Sequence, residues 1–418
     1  MPLPPSGLGR DEILARLTEM RAGDVDWRSG RCFSLVFHAG DEVEDLAREA
    51  SGMYLEENGL NPIAFPSLGQ MQHEVTEITA ELFHGRDDDR AASGFMTSGG
   101  TESILLAVKA ACNRGKAERG ITEPEMVIAD SAHAAFHKAG DYFGVAINKI
   151  PVLADWRTDV DAMAGAVTDR TVLIVGSAPQ YPQGVIDPIP ELAAIAAGGG
   201  FSCHVDACMG GFVLPFAEQL GERVAPWDFR VEGVTSISAD VHKLGYAPKG
   251  ASVLIHRDEM LRNHQVFVFD GWLGGFYASS GIAGSKPAGP IAAAWAVMHL
   301  LGEAGYQRLT RTTLDATRRL VDGVNALDGL QVLGEPDAQC LAIAAEDAHG
   351  LDVFAVMDRL GEAGWHLDRQ TPPDSLHATV SAGTAAAVGD LVADLEQAVI
   401  AVGTSRTDDR STNYAAIE

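Results

Sequence analysis

Between Thr101 and about Ile255 the chain alternates helical patterns with short β-branched runs: MVIAD at 126–130, VAINKI at 145–150, TVLIVG at 171–176, SCHVDA at 202–207 and GVTSIS at 233–238. Such alternation implies parallel strands joined by crossover helices, because parallel neighbours need a connection that carries the chain back to the same end of the sheet. The middle of the chain is therefore predicted to be a wound α/β domain, with its ligand beyond the strand ends. Residues 1–60 read as an N-terminal helical arm, with amphipathic patterns from Asp11 to Met20 and from Glu42 to Glu56. The large domain is predicted over 61–303, closing on an apolar helical pattern from Pro287 to Glu303. LQVLG at 330–334, CLAIAA at 340–345 and SLHATVS at 375–381 mark a smaller C-terminal α/β domain over 304–403. Residues 404–418 are polar and patternless, and are expected to be loose or to contact another subunit.

Charge narrows the partners. Thirty-one Lys and Arg against 58 Asp and Glu give a formal net charge of −27, which repels a polyanion, so nucleic acid is not an expected partner. A small phosphorylated ligand remains open, because a pocket responds to its own amides and lysines over a screened distance. The five cysteines are odd in number and widely spread, and the N-terminus lacks a basic region and an apolar run, so a cytoplasmic protein with free thiols is expected. Pro290 to Leu301, the most apolar stretch, is too short to cross a bilayer and contains His299, so no transmembrane anchor is expected.

Three segments carry chemistry. In SISADVHKLGYAPKG, Lys243 follows a strand and precedes a Gly-containing loop; an isolated lysine there would ordinarily be a surface residue. In HVDACMGG at 204–211, period-two alternation puts His204 and Asp206 on one face of a strand, with Asp206 at its C-terminal edge. A carboxylate there is placed either to pair with a protonated ring nitrogen or to cap a turn. Cys203 and His204 fall on opposite faces, so no metal site is expected. In TSGGTES at 97–103, Ser98, Gly99, Gly100 and Thr101 open a helix and form either a phosphate cradle of exposed amides or an ordinary N-cap at Thr101. SAHAAFHKA at 131–139 adds His133 and His137, four apart but without the carboxylate of a metalloprotease helix. His133 is placed to stack on a cofactor ring, and His137 reads as structural.

The ordered set SGGTES, SAHAAF, HVDACMGGF, SADVHKLGYAPKG and YASSGIAGSKP resembles the sphingosine-1-phosphate lyases of the group II decarboxylase-like family, over roughly residues 61–310. The resemblance implies a pyridoxal 5'-phosphate (PLP) enzyme of fold type I, with a mainly parallel large-domain sheet. It also implies a homodimer with shared active sites, and retro-aldol cleavage of a phosphorylated long-chain amino alcohol to an aldehyde and phosphoethanolamine. By the same resemblance Lys243 is the Schiff-base lysine, Asp206 the pyridinium partner and His133 the stacking residue. Ser98, Gly99, Gly100 and Thr101 hold the cofactor phosphate with His242 beside them, Lys249 lies near the substrate's phosphate or reacting hydroxyl, and Gly284 and Ser285 reach the cofactor from the other subunit.

Two family positions depart from that pattern. Phe37, in SLVFHAG, stands where a tyrosine is usual, and Ala64, in NPIAFPS, stands near the place of a histidine, so both lose a hydrogen-bonding group from the headgroup pocket. Lys286 replaces the usual arginine and gives up bidentate geometry. His38 is a possible substitute donor that strand alternation points elsewhere, and Tyr414 resembles a tyrosine near the end of some bacterial relatives. An amino-acid decarboxylase, or a lyase of a smaller β-hydroxy amine or amino acid, uses the same fold and cofactor and stays open as an alternative.

Overall fold

The computed structural model describes residues 3–86, 91–346, 350–412 and 414. Its centre is a sheet of seven strands: β1 (Ser93–Thr97), β2 (Glu125–Ala129), β3 (Ala146–Ile150), β4 (Thr171–Ser177), β5 (Ser202–Asp206), β6 (Ser236–Ala239) and β7 (Ser252–His256). They lie in the order β1-β7-β6-β5-β4-β2-β3. Strands β2 to β6 pair in parallel, and β7 runs antiparallel to both β6 and β1. Every residue of β2, β4, β5, β6 and β7 is buried, because helices cover both faces; such strands read as apolar or small-residue runs without alternation.

The five anticipated runs become β2 to β6, with ends shifted by a few residues. Strands β1 and β7 were not anticipated. In β1, SGFMT, the glycine conceals a packing requirement: a Cβ on Gly94 would lie 2.4 Å from Ile255 Cδ1 and 2.8 Å from Thr76 Cβ on the helix Pro66–Leu82. The reversed direction of β7 follows from its connection. Residues 240–251 contain no helix, so the chain turns back beside β6 instead of crossing over, and that turn carries Lys243.

The smaller lobe is an antiparallel sheet of β10 (Leu330–Val332), β11 (Cys340–Ala345), β12 (Asp368–Gln370) and β13 (Ser375–Thr379), in the order β10-β11-β13-β12. Its own core gathers Leu341, Ile343, Phe354, Leu376, Leu391 and Leu395. The helix Gly289–Asn325 serves both lobes. It breaks at Gly302 (φ 53°); Ile291, Val297 and Leu314 pack in the large core, and Ala316, Leu320 and Val324 in the small one. The N-terminal segment is less uniform than a helical arm. The helix Arg10–Met20 buries no residue, whereas Cys32 bridges to His366 and Phe33 is buried in the small-lobe core. A two-stranded hairpin, β8 (Phe267–Phe269) and β9 (Tyr277–Ser279), stands out from the large domain with Trp272, Leu273 and Phe276 exposed around its tip.

Candidate active site

Because β1, β2, β4, β5 and β6 point the same way, the segments leaving their C-terminal ends converge on one edge of the sheet. A cavity of about 300 Å³ forms there, lined by Ser98, Gly99, Gly100 and Thr101 after β1, His133 after β2, Asp206 and Cys208 at the end of β5, and Asp240, His242 and Lys243 after β6. Tyr414 closes the lining from the C-terminal tail. Of the residues singled out in the sequence, this one chain therefore brings together Ser98, Gly99, Gly100, Thr101, His133, Asp206, His242 and Lys243. Gly284 and Ser285 line an adjoining cleft, with Gly59, Gln72, Arg86 and Lys286, and Ser98 and Glu102 line both.

The Lys243 ammonium is an ion-pair partner of Asp240, Nζ to Oδ2 2.9 Å, and both side chains are largely withdrawn from water. Burial alone would push Lys243 down; the Asp240 carboxylate overrides it and holds the lysine well above its usual range. Burial likewise opposes the Asp240 charge, but Lys243 and then His242 hold its carboxyl below the usual value. Asp240 was not anticipated as a site residue. Its spacing of three from Lys243 in one tight turn was the available signal.

Asp206 accepts from the Cys208 backbone N–H (3.1 Å) and the Ser238 hydroxyl (3.3 Å) through Oδ1, so the end of β5 fixes its orientation. His204 on the same face is fully buried between the Ser236 and Ser238 hydroxyls, 2.9 and 3.1 Å away, and burial takes its pKa down to about 4. It is a neutral packing group that steadies Ser238. Among the described residues no cluster of three or more His, Cys, Asp or Glu is placed to hold a metal.

His133 Nδ1 accepts the Ala135 backbone N–H at 3.1 Å, which leaves the proton on Nε2, and burial lowers its pKa. The ring is therefore a neutral, fixed plane on the cavity wall. His137 is exposed on the outer side of the helix Ala135–Phe143.

The glycine loop meets the requirement of an anion cradle. The helix Gly100–Arg119 has Gly99 as its N-cap and no side-chain cap, so Thr101 is not the cap, and the first-turn amides face the cavity without intrahelical acceptors. A Cβ on Gly100 would lie 2.8 Å from Cys208 Sγ and 2.9 Å from Asp240 Oδ2, so only glycine lets this helix start sit on the site floor. Ser98 is partly committed elsewhere: its N–H and hydroxyl both donate to Glu102 Oε2 at 2.7 Å. Asp240 Oδ1 and His242 Nδ1 are buried without hydrogen-bond partners among the described residues. An uncapped helix start, a positioned carboxylate, a neutral planar histidine and a lysine in one cavity fit a phosphorylated pyridine aldehyde.

Lys249 lies just outside this lining. Its Nζ donates to the His242 carbonyl at 3.1 Å and sits 4.9 Å over the Phe37 ring, and burial, then Lys243, bring its pKa down to about 8. Lys286 turns inward, donating to Gln72 Oε1 at 2.6 Å and to the Met96 carbonyl, and burial takes it down to about 7. His38 is packed edge-on to Trp27 with Nδ1 3.7 Å from Glu44, so its ring is engaged there. Ala64 is exposed. Tyr181 was missed: it lines the space beside Lys243, donates to Asp368 Oδ2 at 2.8 Å and stacks on His377 at 3.7 Å.

The family model described as the pyridoxal-dependent decarboxylase conserved domain matches residues 17–344. The chain is 42% identical over 402 residues to a sphingosine-1-phosphate lyase of Arabidopsis thaliana, covering 95% of this chain and 73% of that protein. It superposes on a sphingosine-1-phosphate lyase structure from Burkholderia pseudomallei with a TM-score of 0.92 at 37% identity, covering 97% of this chain and 93% of that one. A glutamate decarboxylase structure from Lactobacillus brevis, TM-score 0.83 at 23% identity, covers 98% of this chain and 96% of that one and shares the fold. The chain is thus a PLP-dependent lyase, and it belongs to the pyridoxal-dependent decarboxylase family, among the sphingosine-1-phosphate lyases.

Proposed function

We propose that this protein cleaves the C2–C3 bond of a phosphorylated long-chain amino alcohol, releasing an aldehyde and phosphoethanolamine, with Lys243, Asp206, His133 and Lys249 as its working residues. The observation that carries the proposal is the pair of lysines six residues apart whose surroundings drive them in opposite directions: Lys243 is held protonated by Asp240, and Lys249 is depressed to about 8. Retro-aldol cleavage needs both a base and an acid, and groups pushed apart in this way supply them. Decarboxylation needs no base to break its bond, so a depressed Lys249 favours the carbon–carbon lyase.

Bound PLP supplies an electron sink for the carbanion left when a bond to C2 breaks. Lys243 would hold PLP covalently through its side-chain nitrogen. Asp206 would keep the ring nitrogen protonated, and the neutral His133 plane would pack on the ring. The amides of Gly99, Gly100 and Thr101, with Ser98 and His242 at the edges, would hold the cofactor phosphate. Lys249, in its neutral form, takes the proton of the C3 hydroxyl as the C2–C3 bond breaks and the aldehyde forms. Lys243, kept as an ammonium by Asp240, would return a proton to C2.

At the headgroup end, Phe37 offers Lys249 only an aromatic face, Ala64 offers no side-chain donor, and Lys286 is committed to Gln72 and Met96. The headgroup pocket is thus altered, and the phosphate is held by fewer donors than a tyrosine and histidine would provide. This favours a weakly held phosphorylated headgroup or, as the second reading, a smaller β-hydroxy amine. We assign Gly284 and Ser285 to the active site of a second copy in a homodimer, a reading supported by their lining a cleft other than the Lys243 cavity of their own chain and by the exposed Trp272, Leu273 and Phe276 of the hairpin. All five cysteines are unpaired, which supports the cytoplasmic reading, and no helix among the described residues is long and apolar enough to cross a membrane.

The test is product identification by mass spectrometry after mixing the PLP-loaded protein with sphingosine-1-phosphate, its unphosphorylated amino alcohol, or candidate amino acids. Aldehyde with phosphoethanolamine supports the proposal; cleavage of only the unphosphorylated or shorter substrates supports the second reading; carbon dioxide with an amine rejects both.

A further inference from the structure

Residues 405–412 carry no regular structure, yet they are tied to the small lobe by buried chemistry. Asp352, 3% exposed at the start of the helix Val353–Glu362, accepts four hydrogen bonds: one from its own helix at Phe354 N, the others from Thr407 N at 3.2 Å and from Arg410 Nη1 at 2.8 and 2.9 Å. A buried carboxylate is costly unless paired, so this one requires the tail. Arg410 also reaches Asp374 and lies 4.4 Å over the Phe354 ring. Beside it, Arg369 Nη1 holds Asp409 Oδ2 at 2.9 Å.

Four residues beyond Arg410 stands Tyr414. A span of four residues reaches at most about 14 Å, so fixing Arg410 confines where that ring can go. It stands edge-on to His133 and to Tyr181, 5.3 Å from each centroid, and lines the Lys243 cavity while remaining half exposed at its rim. Tyr414 is therefore a wall of the cavity on one side and meets solvent on the other.

We propose that Asp352 and Arg410, with Arg369 and Asp409 beside them, are positioning residues that hold Tyr414 across the mouth of the Lys243 cavity of the same chain. None of the four lines the cavity; they act through the tail. The inference rests on the cavity being the PLP site and is independent of which substrate is cleaved.

The experiment uses the PLP-loaded full chain and a small nucleophile, hydroxylamine, that strips the cofactor from its lysine; the rate is read as decay of the visible absorbance. Three variants are compared with the parent: Tyr414→Ala, the double replacement Asp409→Ala with Arg410→Ala, and the triple combination. Asp352 is left intact because it also caps a helix. The double replacement is expected to speed release several-fold, as Tyr414→Ala does, and the triple variant to be no faster than Tyr414→Ala alone. Arg410→Lys, which keeps a charge beside Asp352, is expected to retain most of the protection, and thermal unfolding confirms that each variant is folded. An unchanged rate in the double replacement, or effects of tail and ring that multiply in the triple variant, overturns the proposal. A visible band that survives Lys243→Ala would count against Lys243 as the cofactor lysine while leaving this comparison of rates valid.

Discussion

Replacing Asp240 by Asn keeps the shape of the residue beneath Lys243 and removes its charge. At the 2.9 Å separation seen here, two unit charges attract by roughly 4–6 kcal/mol in a medium of effective dielectric near 20. Relaxation and water entering the site reduce that figure, and even half of it corresponds to about two pH units on the lysine. The sign follows from the chemistry: only a neutral amine captures the aldehyde of PLP, and its fraction rises tenfold per pH unit below the lysine's pKa. In the parent protein, whose Lys243 is held high, capture should therefore keep accelerating throughout the neutral and mildly alkaline range. In Asp240→Asn the neutral fraction of the lysine should be roughly a hundredfold higher at each pH in this range, and capture correspondingly faster. The assay is stopped-flow mixing of apoprotein with PLP, following the visible band from roughly pH 6 to 10. Superimposable pH profiles for the two proteins would refute the claim that Asp240 sets the protonation of Lys243.

Lys249→Met should lower kcat by roughly 10²- to 10⁴-fold, the usual worth of a positioned base. The parent's rate should rise with pH through about 8 as Lys249 loses its proton, and the variant should lack that limb in a pH profile of kcat. Phe37→Tyr should restore a donor beside Lys249 and lower KM for a phosphorylated substrate, by about tenfold if the phenol gains one charge-assisted hydrogen bond; steady-state kinetics check it. Gly100→Ala would put a Cβ 2.8 Å from Cys208 Sγ, so PLP affinity by absorbance titration should fall sharply while far-UV circular dichroism stays unchanged.

The large domain was readable because its parallel strands are buried on both faces, and burial leaves apolar runs that stand out from the intervening helices. The direction of β7 was not, since SVLIH looks the same whichever way it runs and only the helix-free connection decides it. At the site, Asp206, His133, Lys243 and the glycine loop were legible because each lies at a strand end within a short segment. Asp240 sits in that same segment, and its spacing of three from Lys243 permits the contact, which the turn completes by folding its carboxylate under the Lys243 ammonium. Lys286 shows the opposite limit: a lysine placed by its motif at a headgroup spends its charge on Gln72 and a backbone carbonyl. Tyr414 comes from the other end of the chain, and its arrival at His133 depends on ion pairs between the tail and Asp352 that no local pattern announces.

The central claim is carbon–carbon cleavage, with the base on Lys249 and the returning proton on Lys243. It is tested most directly by incubating the PLP-loaded protein with sphingosine-1-phosphate in deuterated water and resolving the products by mass. The account predicts a long-chain aldehyde together with phosphoethanolamine carrying a single non-exchangeable deuterium at C2, and neither product from Lys243→Ala. Intact substrate under conditions where an amino acid is decarboxylated would contradict it.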